Sequence, residues 1–579
     1  MDQLVTAVPW LIASVVVLAA IVFGLGFALH FQTRMPQLAL PLIGLVMTVV
    51  PPVGIVMVGR NLSLKNLDFY QQVDPGGVAA WVLRGSTAAM IALALSIILV
   101  QLLDRSERSP SGRALFFGFM AFFLTNTGLN AAFGTLPGIT AQHFYSLLLF
   151  AAIFLVRERG YASFLTAIKW GLLFLMVGSF VFIPLQPALV MQTNTPEIRL
   201  PFVSFRFWGI GSGPNSIGPI ALVQILLTLH IPFRSRLVQW LSLLSSAGVL
   251  LLAQSQTSWM CAAVILPPFV VYRWLTDETK GAGRRFSPLL AGGALLIGAA
   301  FALAGASFFV DWLEVWDTLA SFAGLGNDGL SNKSLSGRGA IWVVALDTFR
   351  ENPLFGYGLT AWDTTFRAKI NMPFAFHAHN QLMHSLSVGG LLGALGFIVY
   401  FGTLAYFSIK LARFTRGLAP AILVLMTIRS ITEVPFELGT VLVSDFVTQI
   451  SLFSLLAGSL GLIAAKARAP ARTRSLRAAV LDRPEAAAWI GAAAGSRPVA
   501  TAGAWTGAAA ATATAASPGA AGGWADTPTR VTATVAPHAD APARGTASAE
   551  PEDPPMPAVF RSRGRTPPSF DERIEPRLE

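Results

Sequence analysis

Charge is scarce in this sequence. Only 12% of its 579 residues are Asp, Glu, Lys or Arg, where a soluble domain carries roughly 25%. An ordinary water-soluble globule is therefore excluded. Cysteine is scarcer still. Cys261 is the only one and falls in an apolar run, so no intramolecular disulfide can form and metal sites built on several cysteines are ruled out. The chain has only seven histidines, yet three of them, His377, His379 and His384, crowd into the single stretch "HAHNQLMH". No repeat of solenoid type is present.

What is abundant is apolar sequence, 54% of the chain. Runs such as Leu11 to Phe31 and Ala88 to Leu103 reach or approach the ~20 residues that cross a bilayer as a helix. Helices are the natural form there, because lipid offers the backbone no hydrogen-bond partner. The fold class this predicts is an all-α polytopic membrane protein. The first run is too long for a signal-peptide core, has no basic residue ahead of it and is followed by no small-residue cleavage site, so it reads as a retained helix.

Lys and Arg give the chain a formal charge of +11, and they cluster between alternate apolar runs. The clusters are Arg34, "DRSERSPSGR", "RERGYASFLTAIK", "PFRSR", "YRWLTDETKGAGRR", "KLARFTR" and "KARAPARTR". Basic loops stay on the cytoplasmic side. Placing all of these inside requires about 12–13 transmembrane helices, an outside N-terminus and an inside C-terminus. The expected partner of this charge is the lipid bilayer, not nucleic acid.

One outward loop is long, about residues 311–384. Within it "GAIWVVALDTFREN" sets Ile341, Ala345 and Phe349 on one stripe beside Trp342 and Leu346, which predicts a helix with one apolar face. Pro353 and the following glycines end it. The expected domains are a transmembrane domain over residues 1–465, with this loop as a small folded cap, and an Ala/Pro/Gly-rich cytoplasmic tail over residues 466–579, predicted to be disordered.

Four places combine polarity with special backbone residues. In "SFRFWGIGSGPNSIGP", Arg206 precedes three glycines and Asn215 is placed to cap the next helix; helix N-termini attract anions. The plain alternative is a capped turn with Arg206 reaching to headgroups. In "SLSGRGAIW", Ser336 can cap a helix whose first turn holds Arg338. A cation there opposes the helix dipole, which points to an anionic partner, the alternative being an exposed arginine. In the histidine stretch, Asn380 caps a helix, His379 lies just before it and His384 one turn inside. An imidazole at a helix N-terminus tends toward its neutral form, suited to a general base. The alternatives are three zinc ligands, at a spacing that matches no standard signature, or a structural loop. In "IRSITEVPFE", Arg429 and Glu433 are four apart and read as a facing structural pair.

The succession "RFWGIGSGPNSIG", "AQSQTSW", "SGRGAIWVVALDTFRENPLFGYGL" and "HAHNQLMHSLSVGGLLGALGF" resembles the bacterial O-antigen ligase and O-antigen polymerase superfamily, over about Phe205 to Leu460. The resemblance implies a GT-C-type membrane glycosyltransferase of the bacterial inner membrane whose active site faces the periplasm. It implies transfer of a glycan from undecaprenyl diphosphate, either to another lipid-linked repeat (polymerase) or to lipid A-core (ligase). By the same resemblance, Arg206 and Arg338 match the arginines that bind the diphosphate, and His379 the histidine that activates or orients the acceptor hydroxyl. Asn215, Asn380, His384, Arg429 and Glu433 are supporting candidates. Gln256 stands where many relatives have an arginine. No metal and no cofactor are expected. The expected partners are the undecaprenyl-diphosphate-linked glycan and, beyond it, a chain-length regulator or other polysaccharide-assembly proteins.

Polymerisation of exopolysaccharide or O-antigen repeats is the favoured reading, since "SITEVPFE" looks closer to exopolysaccharide polymerases. A transporter is the rival from another class, but it should place its charges near the bilayer midplane. A non-catalytic scaffold leaves the polar motifs without a purpose.

Overall fold

The computed structural model describes residues 22–64, 76–103, 110–156, 160–193, 195, 198–276 and 338–481. Its helices are α1 (Pro36–Val58), α2 (Gly77–Leu103), α3 (Pro110–Phe123), α4 (Leu129–Phe133), α5 (His143–Leu155), α6 (Gly160–Leu185), α7 (Pro214–His230), α8 (Arg236–Leu252) and α9 (Gln256–Thr276). After residue 337 come α10 (Arg338–Glu351), α11 (Thr364–Lys369), α12 (Gln381–Lys410), α13 (Leu418–Thr432) and α14 (Ser444–Leu481). Strands β1 (Met191–Gln192) and β2 (Arg206–Phe207) form one antiparallel ribbon, Met191 opposite Phe207 and Gln192 opposite Arg206.

The chain is an all-α polytopic membrane protein. Among the described residues, seven helices are long and apolar enough to cross a membrane, and α5, α8 and α13 are shorter apolar helices. The expected first span lies partly outside the described residues, as do residues 311–337 of the long loop, the basic run that follows α9 and the tail beyond Leu481. Helix α14 itself continues to Leu481, past the domain boundary expected at residue 465.

Apolar helix faces pack into one core across most of the bundle. Its centre is aromatic. Phe119 stacks on Phe150 at 4.0 Å between ring centroids, and Tyr400 stacks on Phe122 at 5.4 Å. Phe453 meets Phe150 edge-on at 4.8 Å, a favoured geometry for rings of opposite edge and face charge. Helix α10 buries Ile341, Trp342, Ala345 and Leu346 in a second, smaller core with Tyr357, Trp362, Phe366 and Met383. That is the apolar face expected of the cap helix except at Phe349, which is half-buried and not part of this core.

The cap is fastened to the membrane bundle by a break in α12. Gly390 has φ 63° and ψ −156° inside that helix, a conformation open to glycine. The break frees backbone groups on both sides, and buried groups of this kind require partners. The "PLFGYG" turn supplies them. Leu391 N–H donates to the Pro353 carbonyl at 2.8 Å, and Tyr357 N–H donates to the Ser387 carbonyl at 2.8 Å. Gly358 N–H reaches the Val388 carbonyl at 3.1 Å. A π-helical turn, Leu124–Gly128, joins α3 to α4, and its Asn126 side chain donates to the Gly393 carbonyl at 2.8 Å.

Candidate active site

The loop before α7 is held from several directions. Phe207 is fully buried, and Trp208 Nε1 donates to Gln192 Oε1 at 2.9 Å. Arg60, just past the end of α1, donates to the carbonyls of Leu189 (3.1 Å), Gly211 (2.7 Å) and Gly209 (2.6 Å). Its guanidinium also lies 5.3 Å from the Trp208 ring. Burial pushes the Arg60 pKa down to about 9. Nothing in the sequence around Arg60 announced this clamp, because its acceptors lie some 150 residues away and are all backbone.

The clamped loop delivers Arg206 and Asn215. Helix α7 is capped by Gly213 with Pro214 in its first turn, so the expectation that Asn215 caps it is corrected. Proline fits there because its missing N–H has no helical partner in any case. Asn215 is thereby left free to bridge. Its Oδ1 accepts from Arg206 Nη2 at 3.2 Å, and its Nδ2 donates to Glu433 Oε1 at 3.1 Å.

Glu433 is the hub of the site. Its Oε2 lies 3.1 Å from His379 Nδ1 and 3.5 Å from His377 Nε2. Arg338 Nη2 stands 4.0 Å from its Oε1. Burial raises a carboxyl pKa, but here the charge and hydrogen bond of His379, then His377 and Arg338, outweigh burial and hold Glu433 well below the usual carboxylate range. Burial, with the adjacent His379 charge, pushes His377 well below the usual histidine value.

The expected Arg429–Glu433 pairing is corrected as well. Helix α13 ends at Thr432, and Glu433 is extended, with φ −149°, so the four-residue helical spacing no longer aligns the two side chains. Arg429 makes its hydrogen bonds elsewhere, although the Glu433 charge still reaches it. It donates to Asp445 Oδ2 at 2.7 Å and to the Asn215 carbonyl at 2.6 Å. Arg429 is 2% exposed.

Asn380 caps α12, its side-chain oxygen accepting from Leu382 N at 3.0 Å and Met383 N at 3.1 Å. Its amide donates to the Ile431 carbonyl at 3.1 Å, tying the start of α12 to the end of α13. His379, immediately before the cap, has φ 47°, an uncommon backbone for a residue other than glycine and a mark of constrained sites. His379 N–H donates to His377 Nδ1 at 3.1 Å. His384 makes no contact with Glu433 and lines a separate cavity together with Gln381, though its charge reaches His377. Ser336, the expected cap of α10, lies outside the described residues.

The first turns of α7, α10 and α12 thus converge on one point, contributing Asn215, Arg338 and the His379–Asn380 pair. Each helix start carries partial positive charge and unsatisfied N–H groups. Adding two guanidinium groups makes a site for an anionic ligand, with a histidine beside it. The ligand atoms of His377, His379 and Glu433 lie within 4.8 Å of one another, a set that can also hold a cation, although Arg338 faces the same carboxylate.

Residues 241–398 match the family model described as O-antigen ligase. Over this stretch the match supports a relation to the O-antigen ligase-related superfamily. The matched stretch contains Arg338, His377, His379 and His384. Arg206, Asn215, Arg429 and Glu433 lie outside it and join the site through the fold. No curated protein matches the chain.

Proposed function

We propose that this protein transfers a glycan from undecaprenyl diphosphate to a glycan acceptor at the periplasmic face of the inner membrane, most naturally polymerising exopolysaccharide or O-antigen repeats. The observation that carries this is the meeting of Arg206, Arg338 and three helix starts around the His379–Glu433 pair. Guanidinium groups suit the planar, multiply charged face of a diphosphate. An apolar groove supports a lipid-borne donor. It is lined by Met47, Pro51, Ile55 and Leu172, and also by Ser212 and Ser216, the latter next to Asn215 in the chain.

In this reading His379 donates its Nδ1–H to Glu433, which leaves Nε2 free to accept a proton. The acceptor hydroxyl oxygen attacks the anomeric carbon of the donor sugar and gives its proton to Nε2. The bond between that carbon and the diphosphate oxygen breaks, and its electron pair leaves on undecaprenyl diphosphate. Arg206 and Arg338 stabilise the charge that develops there. Losing one such preorganised contact typically costs on the order of 10²–10³ in rate, and general base assistance contributes about 10²–10⁴. Glu433 holds the imidazole in the required orientation, as a carboxylate does in a catalytic triad. No metal is needed, because the leaving group is good and the arginines neutralise it.

The family description keeps transfer to lipid A-core as a second reading. The test is purified protein with lipid-linked repeats, with and without lipid A-core, and with and without chelator. Longer lipid-linked chains mark a polymerase and glycosylated lipid A-core a ligase; chelator leaves either product unchanged. Absence of both products from folded protein sinks the reading.

A further inference from the structure

A second cavity, of about 200 Å³, is lined by Gln381 and His384 of the first turn of α12, just past the His379–Asn380 pair. It takes walls from the π-turn (Asn126), the start of α5 (His143), the cap (Trp362), α12 (His384) and the segment after Glu433 (Glu437). The Gln381 side chain is part of its lining and accepts from Phe436 N–H at 3.0 Å. The apolar groove shares no lining residue with this cavity. Each reaches a neighbour of the cluster in the chain: Ser216 of the groove follows Asn215, and Gln381 of the cavity follows Asn380.

The walls have the chemistry of a sugar site. Trp362 and Phe376 offer aromatic surface, while Asn126, His143, His384 and Glu437 offer hydrogen-bonding groups. His384 Nδ1 is buried and has no hydrogen-bond partner among the described residues, a cost that a ligand hydroxyl would remove. No Lys or Arg lines the cavity, which disfavours an anion. Its volume is about seven times a liquid water's share, room for a sugar ring. The π-turn that brings Asn126 to the wall is an irregularity often found at functional sites.

We propose that this cavity binds a neutral sugar residue of the acceptor glycan, with Glu437 and His384 hydrogen-bonded to its hydroxyls. The assignment rests on the glycan-transfer reading, in which the donor lipid occupies the groove and the acceptor needs a separate place near His379. Burial, with Asp445 nearby, raises the Glu437 pKa to about 7, so its carboxyl can accept or donate to a hydroxyl near neutral pH.

Two variants test it. A Cβ added at Gly439 would stand 3.9 Å from Glu437 Oε1 and 3.9 Å from His143 Cδ2, so Gly439→Leu narrows the cavity without meeting backbone. Glu437→Gln removes the charge alone and guards against a misfolded Gly439→Leu. The probe is the oligosaccharide released by mild acid from the cell's own lipid-linked intermediates, used as soluble acceptor with full-length protein. Both variants should raise its KM and weaken its calorimetric Kd by about tenfold or more, in line with a lost hydrogen bond to a charged group. The KM for the lipid-linked donor should stay within about twofold. Unchanged acceptor KM and Kd in both variants would overturn the proposal. If wild-type protein transfers nothing, the function reading falls, and the calorimetric comparison still decides the cavity.

Discussion

Asn215 and Glu433 lie 218 residues apart and share a 3.1 Å hydrogen bond. Through it the arginine carried by the β-ribbon is joined to the histidine carried by α12. Asn215 bonds both Arg206 and Glu433, and Glu433 meets His379, so the contacts run from the arginine proposed to bind the diphosphate to the histidine proposed as the base. Glu433→Gln keeps the size and the Asn215 contact but removes the charge. Glycan transfer should fall by about 10²–10⁴, the range for lost general-base assistance, with normal membrane levels. His379→Ala and Arg338→Ala should each abolish polymer formation. Gel ladders of lipid-linked product with a membrane immunoblot provide the check, and normal ladders in these variants would remove the site from consideration.

Arg429 and Asp445 make a structural prediction. The pair joins α13 to α14 at 2.7 Å, and the arginine also holds the Asn215 carbonyl. Removing one partner leaves the other charge buried, which costs about 3–5 kcal/mol. Arg429→Met and Asp445→Leu should each lower the yield of monodisperse protein in size-exclusion chromatography. The double variant should recover part of that loss, because it leaves no unpaired charge. Two fully additive losses would mean the pair is not coupled.

The break in α12 should tolerate no side chain. A Cβ at Gly356 would stand 2.5–2.6 Å from the backbone of residues 388–390, and one at Gly390 would stand 2.5 Å from the Leu354 carbonyl carbon. Both glycines have positive φ, so steric overlap adds to a conformational penalty of about 1–2 kcal/mol. Gly356→Ala and Gly390→Ala should detach the cap and expose it to added protease in right-side-out membranes. Gly402→Ala, in open space on the same helix, should behave like wild type.

Much of this architecture was legible in the sequence. Apolar run lengths indicated a helical membrane protein, and the stripe through Ile341, Ala345 and Phe349, with Trp342 and Leu346 beside it, indicated the cap helix, because burial of one face leaves a periodic trace; Phe349, at the end of that stripe, is only half-buried. Asn380 announced its own cap. What could not be read was anything set by long-range placement. The four-residue spacing of Arg429 and Glu433 implies a pair only while the helix lasts, and α13 stops between them. Asn215 was legible as a polar residue at a helix start but not as a bridge, since its partners come from elsewhere in the chain. Arg60 and Glu437 carried no local signal at all.

Glu433 and Glu437 are four residues apart, yet their carboxyls respond to the site in opposite directions, and pH separates them. Glu433 is held well below its ordinary value. Its ionised form stabilises the fold, fully above the unfolded carboxyl pKa near 4.5, and that stability is lost as pH falls below it. Glu437 is raised to about 7. Between roughly 4.5 and 7 the folded state binds the extra proton, so this group's contribution falls as pH rises across that window. Melting temperatures in detergent from pH 4 to 8 should therefore diverge. Glu437→Gln should flatten the decline that wild type shows between pH 5 and 7, whereas Glu433→Gln should lose most against wild type at neutral pH and least in acid. Parallel curves for the two variants would mean that both carboxyls sense the same surroundings, contrary to the cluster of histidines and arginine that encloses only one of them.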